Sequence, residues 1–171
     1  MVMYLFSLSH IQARYDMALS RIRTLHVKTF EGHPTPVFLI SNAYPGVWLE
    51  HAYDTLCYAQ FDPAMAPVAQ SQAELFLNNQ RPDGQLPCYV LDRANPNIKG
   101  YGALVGYGQL QECVSFARIC MGIYDMTGDK AFLERAYGGC ARWDDWLAEH
   151  RSTMKTGLIE LFCEFDTGHD N

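Results

Sequence analysis

The stretch of sequence that decides the fold is Tyr124-Asp125-Met126-Thr127-Gly128-Asp129-Lys130-Ala131-Phe132-Leu133. Apolar residues recur at helical spacing before it, over residues 108–126, and again after it, over residues 130–149. The Thr-Gly-Asp segment between them leaves room for a turn only. The sequence therefore predicts an αα-hairpin, in which two consecutive helices pack side by side.

A second hairpin precedes this one. The apolar pattern predicts one helix over residues 47–61 and another that ends near residue 79, with Asp62-Pro63 between them because proline is favoured at the first helical position. A leading helix is predicted over residues 10–28. The hairpins repeat at a period of roughly 60–65 residues, which is typical of helical arrays, either open solenoids or closed toroids.

Two segments interrupt the helical pattern. Residues 80–106 are a long loop rich in Gly, Pro and Asn, and loops longer than about 12–15 residues in compact domains are often functional. The segment from Gly157 to Phe162 alternates apolar and polar residues, as a short strand does. We expect one domain over residues 1–171, with the long insertions collected on one rim.

Composition excludes several classes of function. The chain has 171 residues and a net charge of -6, without a cluster of Lys and Arg, so no nucleic-acid partner is expected. No apolar run reaches the roughly 18 residues needed to cross a bilayer, so we expect a soluble, cytoplasmic protein without a membrane partner. The cysteines form no C-x-x-C pair and the histidines are scattered, so neither a metal site nor a cofactor is expected.

Of the short motifs, only the acidic residues near the C-terminus indicate a possible catalytic site. The glycines of residues 100–106 have the spacing G-x-G-x-x-x-G with no preceding strand of a βαβ unit, which does not predict a nucleotide site, and no G-x-S-x-G is present. The C-terminal end places carboxylates among apolar and aromatic residues, where burial raises a carboxyl pKa as a general acid requires. The same residues also fit a solvated acidic loop. They are Glu160, Glu164, Asp166 and Asp170.

Four stretches match one known pattern in order. Residues 80–87 read Q-R-P-D-G-Q-L-P, residues 124–133 carry the T-G-D link, residues 157–159 read G-L-I, and residues 166–171 read D-T-G-H-D-N. In this order and spacing they resemble the six-hairpin glycosidases, a family that includes trehalases, processing α-glucosidase I and mannosylglycerate hydrolases. The resemblance covers about residues 40–171.

The resemblance implies a fold and a reaction. The fold would be all-α, with the αα-hairpins belonging to an (α/α)6 toroid and a short strand-like segment near the C-terminus. The reaction would be inverting hydrolysis of an α-linked glucoside or a similar small oligosaccharide. Asp170 aligns with the general acid of the family, which protonates the glycosidic oxygen while a second carboxylate, roughly 6.5–9.5 Å away, activates water.

The resemblance also implies substrate contacts. Asp166 aligns with a neighbouring acidic residue that helps to bind sugar, although the family has Glu there, and His169 replaces an apolar residue. Both departures bear on which sugar is bound. The other expected contacts with the carbohydrate substrate are Trp48, Glu50, Asp54, Asp83, Gln109 and Tyr101.

Three further expectations follow from the sequence and the resemblance. The resemblance places the catalytic base beyond Asn171, so we expect an incomplete barrel that self-associates or requires the second half of the toroid. A toroid-fold sugar epimerase or isomerase, with His51 and His169 as bases, stays open as an alternative. So does a non-catalytic helical-repeat module that binds carbohydrate or protein through the loop of residues 80–106.

Overall fold

A computed structural model describes residues 7–41 and 43–167. The helices of this part are α1 (Leu8–Arg21), α2 (His51–Phe61), α3 (Ala66–Asn78), α4 (Phe116–Thr127) and α5 (Lys130–His150). Its strands are β1 (Val27–Phe30), β2 (His33–Phe38), β3 (Gly46–Trp48), β4 (Tyr89–Leu91) and β5 (Val105–Gly106). None of these helices is long and apolar enough to cross a membrane.

The prediction of an all-α toroid is wrong. Helices take up 57% of the described residues and strands take up 11%, in two small antiparallel sheets, so the fold is mixed. Residues 7–41 and 43–167 do not show a toroid. Local apolar periodicity indicates helices, but it contains no signal for strands that pair over a long distance.

Both predicted αα-hairpins are present, as α2–α3 and α4–α5. Gly128 ends α4 in the left-handed conformation, at a φ of 66°, which glycine adopts without the steric penalty of a Cβ. The side chain of Asp129 then caps α5 by accepting the Phe132 N–H at 3.0 Å. That bond, followed by one from Gln70, lowers the pKa of Asp129.

The two hairpins pack against each other and form the core. At their contact the side-chain amide of Gln80 donates to the Gly139 carbonyl at 2.8 Å, and Arg135 pairs with Glu74. Each hairpin thus covers the apolar face of the other, which is the main driving force for their association. The largest fully buried apolar side chains of the helices are Phe76, Phe116, Ile119, Ile123 and Phe132.

The N-terminal region differs from its prediction. The helix predicted over residues 10–28 ends earlier, because α1 passes into a π-helical turn at Ile22–His26 and the chain then enters β1. Strands β1 and β2 pair as an antiparallel ribbon that packs on α3. The Phe38 N–H donates to the side chain of Gln72 on α3 at 3.3 Å.

The second sheet was also missed. Residues 46–48, of which 47 and 48 were predicted to begin a helix, form β3, and α2 starts only at His51. The predicted loop of residues 80–106 contains β4 and β5, so the sheet order is β3-β4-β5. In this register Trp48 lies opposite Tyr89, and Tyr89 lies opposite Gly106.

Two more boundaries are corrected. The helix predicted over residues 108–126 begins at Phe116, and a separate 3-10 turn occupies Leu110–Cys113. The segment Gly157–Phe162 is not a strand, since the Glu160 carboxylate binds the N–H groups of Thr153 and Met154 and folds the chain back on itself. Those two bonds and one from the Thr153 hydroxyl lower the pKa of Glu160.

An ion pair joins the N-terminal region to the first hairpin, and its replacement should destabilise the fold. Asp62 is 4% exposed and accepts from Arg23 Nε at 2.7 Å and from the Tyr58 hydroxyl at 3.0 Å. We expect Asp62→Asn to lower the Tm at pH 7 by roughly 2–6 °C, because it removes the charge and leaves the guanidinium without its partner.

The effect of Asp62→Asn should depend on pH. The hydrogen bond from Arg23 lowers the pKa of Asp62 below its ordinary value of 3.8. The stabilisation is therefore fully present above about pH 5 and is lost as the pH falls through the folded-state pKa. Thermal melts of both proteins from pH 7 to pH 2.5 should show the Tm difference closing below pH 3.8. A difference that is constant over this range would contradict the assignment.

Candidate active site

A cavity of about 390 Å³ opens where the second sheet meets the start of α2. The pairing of β3 with β4 brings residues of two distant parts of the chain to it, and residues of the turn before α4 also line it. A concave pocket with aromatic walls and a few polar groups is the usual form of a small-molecule site. The lining residues are Tyr44, Trp48, Glu50, His51, Tyr89, Tyr101, Gly102, Gln109, Glu112 and Phe165.

Aromatic rings form one wall of the cavity, with Trp48 at the centre. The ring centroid of Trp48 lies 4.9 Å from that of Tyr44, 5.4 Å from Tyr89 and 5.8 Å from Tyr101. Because Tyr89 lies opposite a glycine, Gly106, its ring occupies space that any Cβ at that position would fill. Burial of the Tyr89 ring raises the pKa of its hydroxyl, which is therefore a neutral hydrogen-bonding group at pH 7.

His51 and Glu50 provide polar groups at the start of α2. The Nε2 atom of His51 lies 3.5 Å from Glu50 Oε1, and its Nδ1 atom is buried without a hydrogen-bond partner among the described residues. Burial lowers the pKa of His51, and the nearby carboxylates of Glu50 and Asp54 oppose that shift only in part. A neutral imidazole at pH 7 follows, and it is able to accept a proton or a hydrogen bond.

Glu112 and Gln109 also line the cavity; Glu112 lies within the 3-10 turn at Leu110–Cys113, and Gln109 directly precedes that turn. Glu112 is 5% exposed, so its carboxylate is among the few buried charged groups of the described chain. Buried carboxylates are rare unless they have a role in stability or in a site. The amide can donate hydrogen bonds to a polar ligand and accept them from it, and the carboxylate can accept them.

The C-terminal segment reaches the cavity through Phe165. Asp166, the next residue, is 4% exposed, lies 3.0 Å from Arg151 Nη1 and accepts the Phe162 N–H at 2.7 Å. The Arg151 guanidinium also lies 4.2 Å from the centroid of the Phe162 ring. These contacts fix the chain just before residues 168–171, which lie outside the described part.

The predicted site residues separate into three groups. Trp48, Glu50, Tyr101 and Gln109 line the cavity together. Asp54 is exposed on α2, Asp83 pairs with Arg81 at 3.0 Å in a turn, and Asp166 pairs with Arg151, so these three do not line it. Asp170 and His169 lie outside the described residues. The part of each residue in substrate binding stays a prediction.

Sequence reasoning did not assign some lining residues to substrate binding. His51 was predicted only as a base in the alternative reaction, whereas Tyr89 was expected, like Trp48 and Tyr101, to offer the face of its ring to a sugar. Tyr44, Glu112 and Phe165 were not identified, since Glu112 falls inside the stretch that was predicted to be one helix. The sequence signal that could have pointed to Tyr44 and Phe165 was the number of aromatic residues on either side of the predicted loop of residues 80–106.

The described residues contain no group of three His, Cys, Asp or Glu side chains arranged to hold a metal ion. The side chains that line the cavity offer hydrogen bonding, aromatic contact and proton transfer. Carboxylates and a neutral imidazole are the groups available for the last of these.

Comparison with known families identifies the domain. Residues 44–171 match the model of the mannosylglycerate hydrolase MGH1-like glycoside hydrolase domain. The chain therefore belongs to this family of glycoside hydrolase-like domains, which confirms the resemblance to glycosidases. The matched part begins at Tyr44 and includes every residue that lines the cavity, while β1, β2 and α1 lie before it. Comparison with curated proteins and with solved structures gives no match.

Proposed function

We propose that the cavity binds one sugar ring of a glycoside and that Asp170 protonates the departing glycosidic oxygen in an inverting hydrolysis. The observation that carries the proposal is the cavity itself, which is lined by aromatic rings together with Gln109 and Glu112, all within the family-matched residues. The faces of Trp48 and Tyr101 pack on the C–H groups of a sugar, while the carboxylates and the amide bind its hydroxyls.

The position of Phe165 supports the assignment of Asp170. Phe165 lines the cavity and Asp166 is anchored to Arg151, so the described part ends close to the cavity at Thr167, three residues before Asp170. A general acid has to lie within hydrogen-bond reach of the oxygen that it protonates. A second carboxylate activates the water, and the resemblance implies that it follows Asn171.

The proposed substrates are glycosides of small size. The sequence resemblance points to an α-linked glucoside, and the description of the matched family points to a mannoside. The cavity volume of about 390 Å³ accommodates a hexose ring together with a small aglycone.

Binding of simple glycosides tests the first part of the proposal. We expect Tyr101→Ala to weaken the binding of methyl α-mannoside or methyl α-glucoside by roughly threefold to tenfold, since one aromatic contact is lost. Calorimetric or NMR titration measures the Kd. Tyr137→Ala is the matched control, because Tyr137 is 76% exposed and does not line the cavity. Equal effects of both substitutions, or no binding of either glycoside, would count against the proposal.

One observation favours a second function. His51 lines the cavity with a lowered pKa, which suits a general base that removes a proton from a sugar carbon in an epimerase or isomerase. Mass spectrometry of the product separates the two reactions, since hydrolysis adds one water and isomerisation leaves the mass unchanged. Binding without any turnover in the full-length protein would instead indicate a carbohydrate-binding module.

A further inference from the structure

We infer that Arg151 and Gly108 are positioning residues of the proposed active site, because they hold the segment of residues 160–167 from two sides and so determine where Asp170 lies. This inference rests on the proposed function, in which Asp170 is the general acid. The described part ends at Thr167, only three positions before Asp170. Three residues span at most about 10 Å, so the position of this segment limits where the carboxyl group can lie.

Arg151 holds the segment through both its backbone and its side chain. Its carbonyl oxygen accepts the Glu160 N–H at 2.8 Å. Its guanidinium donates to Asp166 Oδ2 at 3.0 Å and lies 4.2 Å from the centroid of the Phe162 ring. The side chains of Arg151 and Asp166 are 15% and 6% exposed, so water screens this ion pair poorly. These contacts fix the segment to the end of α5.

Asp166 links the ion pair to the conformation of the segment itself. Its Oδ2 atom accepts from Arg151 Nη1 and also from the Phe162 N–H, the latter at 2.7 Å. Loss of the guanidinium would leave a buried carboxylate without its cation, which is strongly unfavourable and is relieved by rearrangement of the turn. Arg151 therefore acts on the proposed acid through Asp166, without a contact of its own to the substrate.

Gly108 holds the segment from the side of the cavity. The turn at Glu164–Thr167 packs against the turn at Leu110–Cys113. The ring of Phe165 lies so close to Gly108 that a Cβ there would stand 2.6 Å from a ring carbon. Gly108 is not among the glycines with a positive φ, so an alanine at this position acts through the ring contact and not through backbone strain.

Arg151→Met should affect the chemical step and leave binding nearly unchanged. We expect kcat for an alkyl glycoside to fall by roughly tenfold to 100-fold, while KM changes by less than about twofold, since a misplaced acid transfers its proton poorly and the cavity lining is intact. A 4-nitrophenyl glycoside, whose leaving group needs no proton, should lose about threefold at most. Steady-state kinetics of the full-length protein with both glycosides measure this ratio, which a general loss of folded protein would not change.

Two further arginine substitutions complete this series. Arg151→Lys should recover much of the lost kcat, because an ammonium group can still pair with Asp166. Arg135→Met is the matched control, since Arg135 is also an arginine of α5 in an ion pair, but its partner is Glu74 on α3. The ratio of the two glycosides should be unchanged in this control.

Gly108→Ala tests the second contact with the ion pair in place. Displacement of the Phe165 ring should produce the same selective loss with the alkyl glycoside, by about threefold to 30-fold in kcat. Gly100→Ala is its control, because a Cβ at Gly100 meets nothing within 4 Å and Gly100 does not line the cavity. If Arg151→Met fails to fold, Gly108→Ala and Arg151→Lys decide the question.

Hydrogen exchange gives a readout that does not depend on activity. The Phe162 N–H, which is bonded to Asp166, should exchange about tenfold faster in Arg151→Met than in the unaltered protein. An unchanged exchange rate would show that Arg151 does not hold the segment and would overturn the inference.

The outcomes separate this inference from the proposed function. If the unaltered protein hydrolyses neither glycoside, or Asp170→Asn keeps full activity, the proposed function is overturned and the positioning role with it. If Asp170→Asn is inactive while Arg151→Met and Gly108→Ala keep full activity, or lose activity equally with both glycosides, only the positioning role is overturned. A selective loss with the alkyl glycoside in both variants, absent from their controls, would support it.

Discussion

Asp170→Asn should lower the kcat of glycoside hydrolysis in the full-length protein by about 10²- to 10⁴-fold, the usual contribution of a general acid. The amide has nearly the same shape as the carboxyl group but carries no proton to give to the leaving oxygen. Ligand binding should change little, since the cavity side chains are untouched. We propose to measure kcat across pH with an α-mannoside and an α-glucoside. The profiles give the loss of kcat and show whether the fall of kcat at high pH, which marks deprotonation of the general acid, disappears.

A leaving group with a low pKa sharpens this experiment. The 4-nitrophenolate group of a 4-nitrophenyl glycoside leaves without protonation. Hydrolysis of this glycoside should therefore be much less affected by Asp170→Asn than hydrolysis of an alkyl glycoside. Asp145→Asn is the control, because Asp145 is exposed on α5 and does not line the cavity. Full retention of alkyl glycoside hydrolysis by Asp170→Asn would exclude the residue as the acid.

Gly84→Ala should lower the free energy of unfolding by roughly 3–5 kcal/mol. Two independent costs add up in this estimate. The backbone φ of Gly84 is 102°, which a residue with a Cβ rarely adopts. A Cβ built there would also lie 2.3 Å from the Arg142 carbonyl oxygen, a backbone atom of α5 that can move only with its helix.

The consequences of Gly84→Ala should extend to the cavity. The next residue, Gln85, is buried and donates its side-chain amide to the Tyr107 carbonyl at 2.7 Å, two residues before Gln109. Urea denaturation of the variant measures the loss of stability, and glycoside titration below the transition measures the loss of binding.

Gly128→Ala provides a matched comparison for Gly84→Ala. Gly128 also has a positive φ, 66°, but a Cβ there meets nothing within 4 Å. We expect a cost of about 1 kcal/mol, the conformational term alone. Equal destabilisation by both substitutions would show that the contact with Arg142 does not matter.

The sequence was informative where the decisive interactions are local. The turn predicted at Thr127-Gly128-Asp129 is present. Gly128 ends α4 there and Asp129 caps α5, and both act within a few residues of themselves. The order of the four motifs indicated the glycosidase family because each motif is a short stretch that can be recognised without the tertiary structure. The prediction from local sequence was wrong at Trp48, which lies in β3 and not in α2.

The sequence by itself determined the two helical hairpins, the caps between them and the class of glycoside hydrolase-like domain. Only the tertiary structure decided that the chain contains two sheets and which side chains share the cavity. Trp48 and Glu112 are far apart in the chain, yet they line the same cavity, to which paired strands β3 and β4 and the turn before α4 all contribute. Periodicity shows which face of an element is apolar, but the partner of that face is selected by packing across the whole fold.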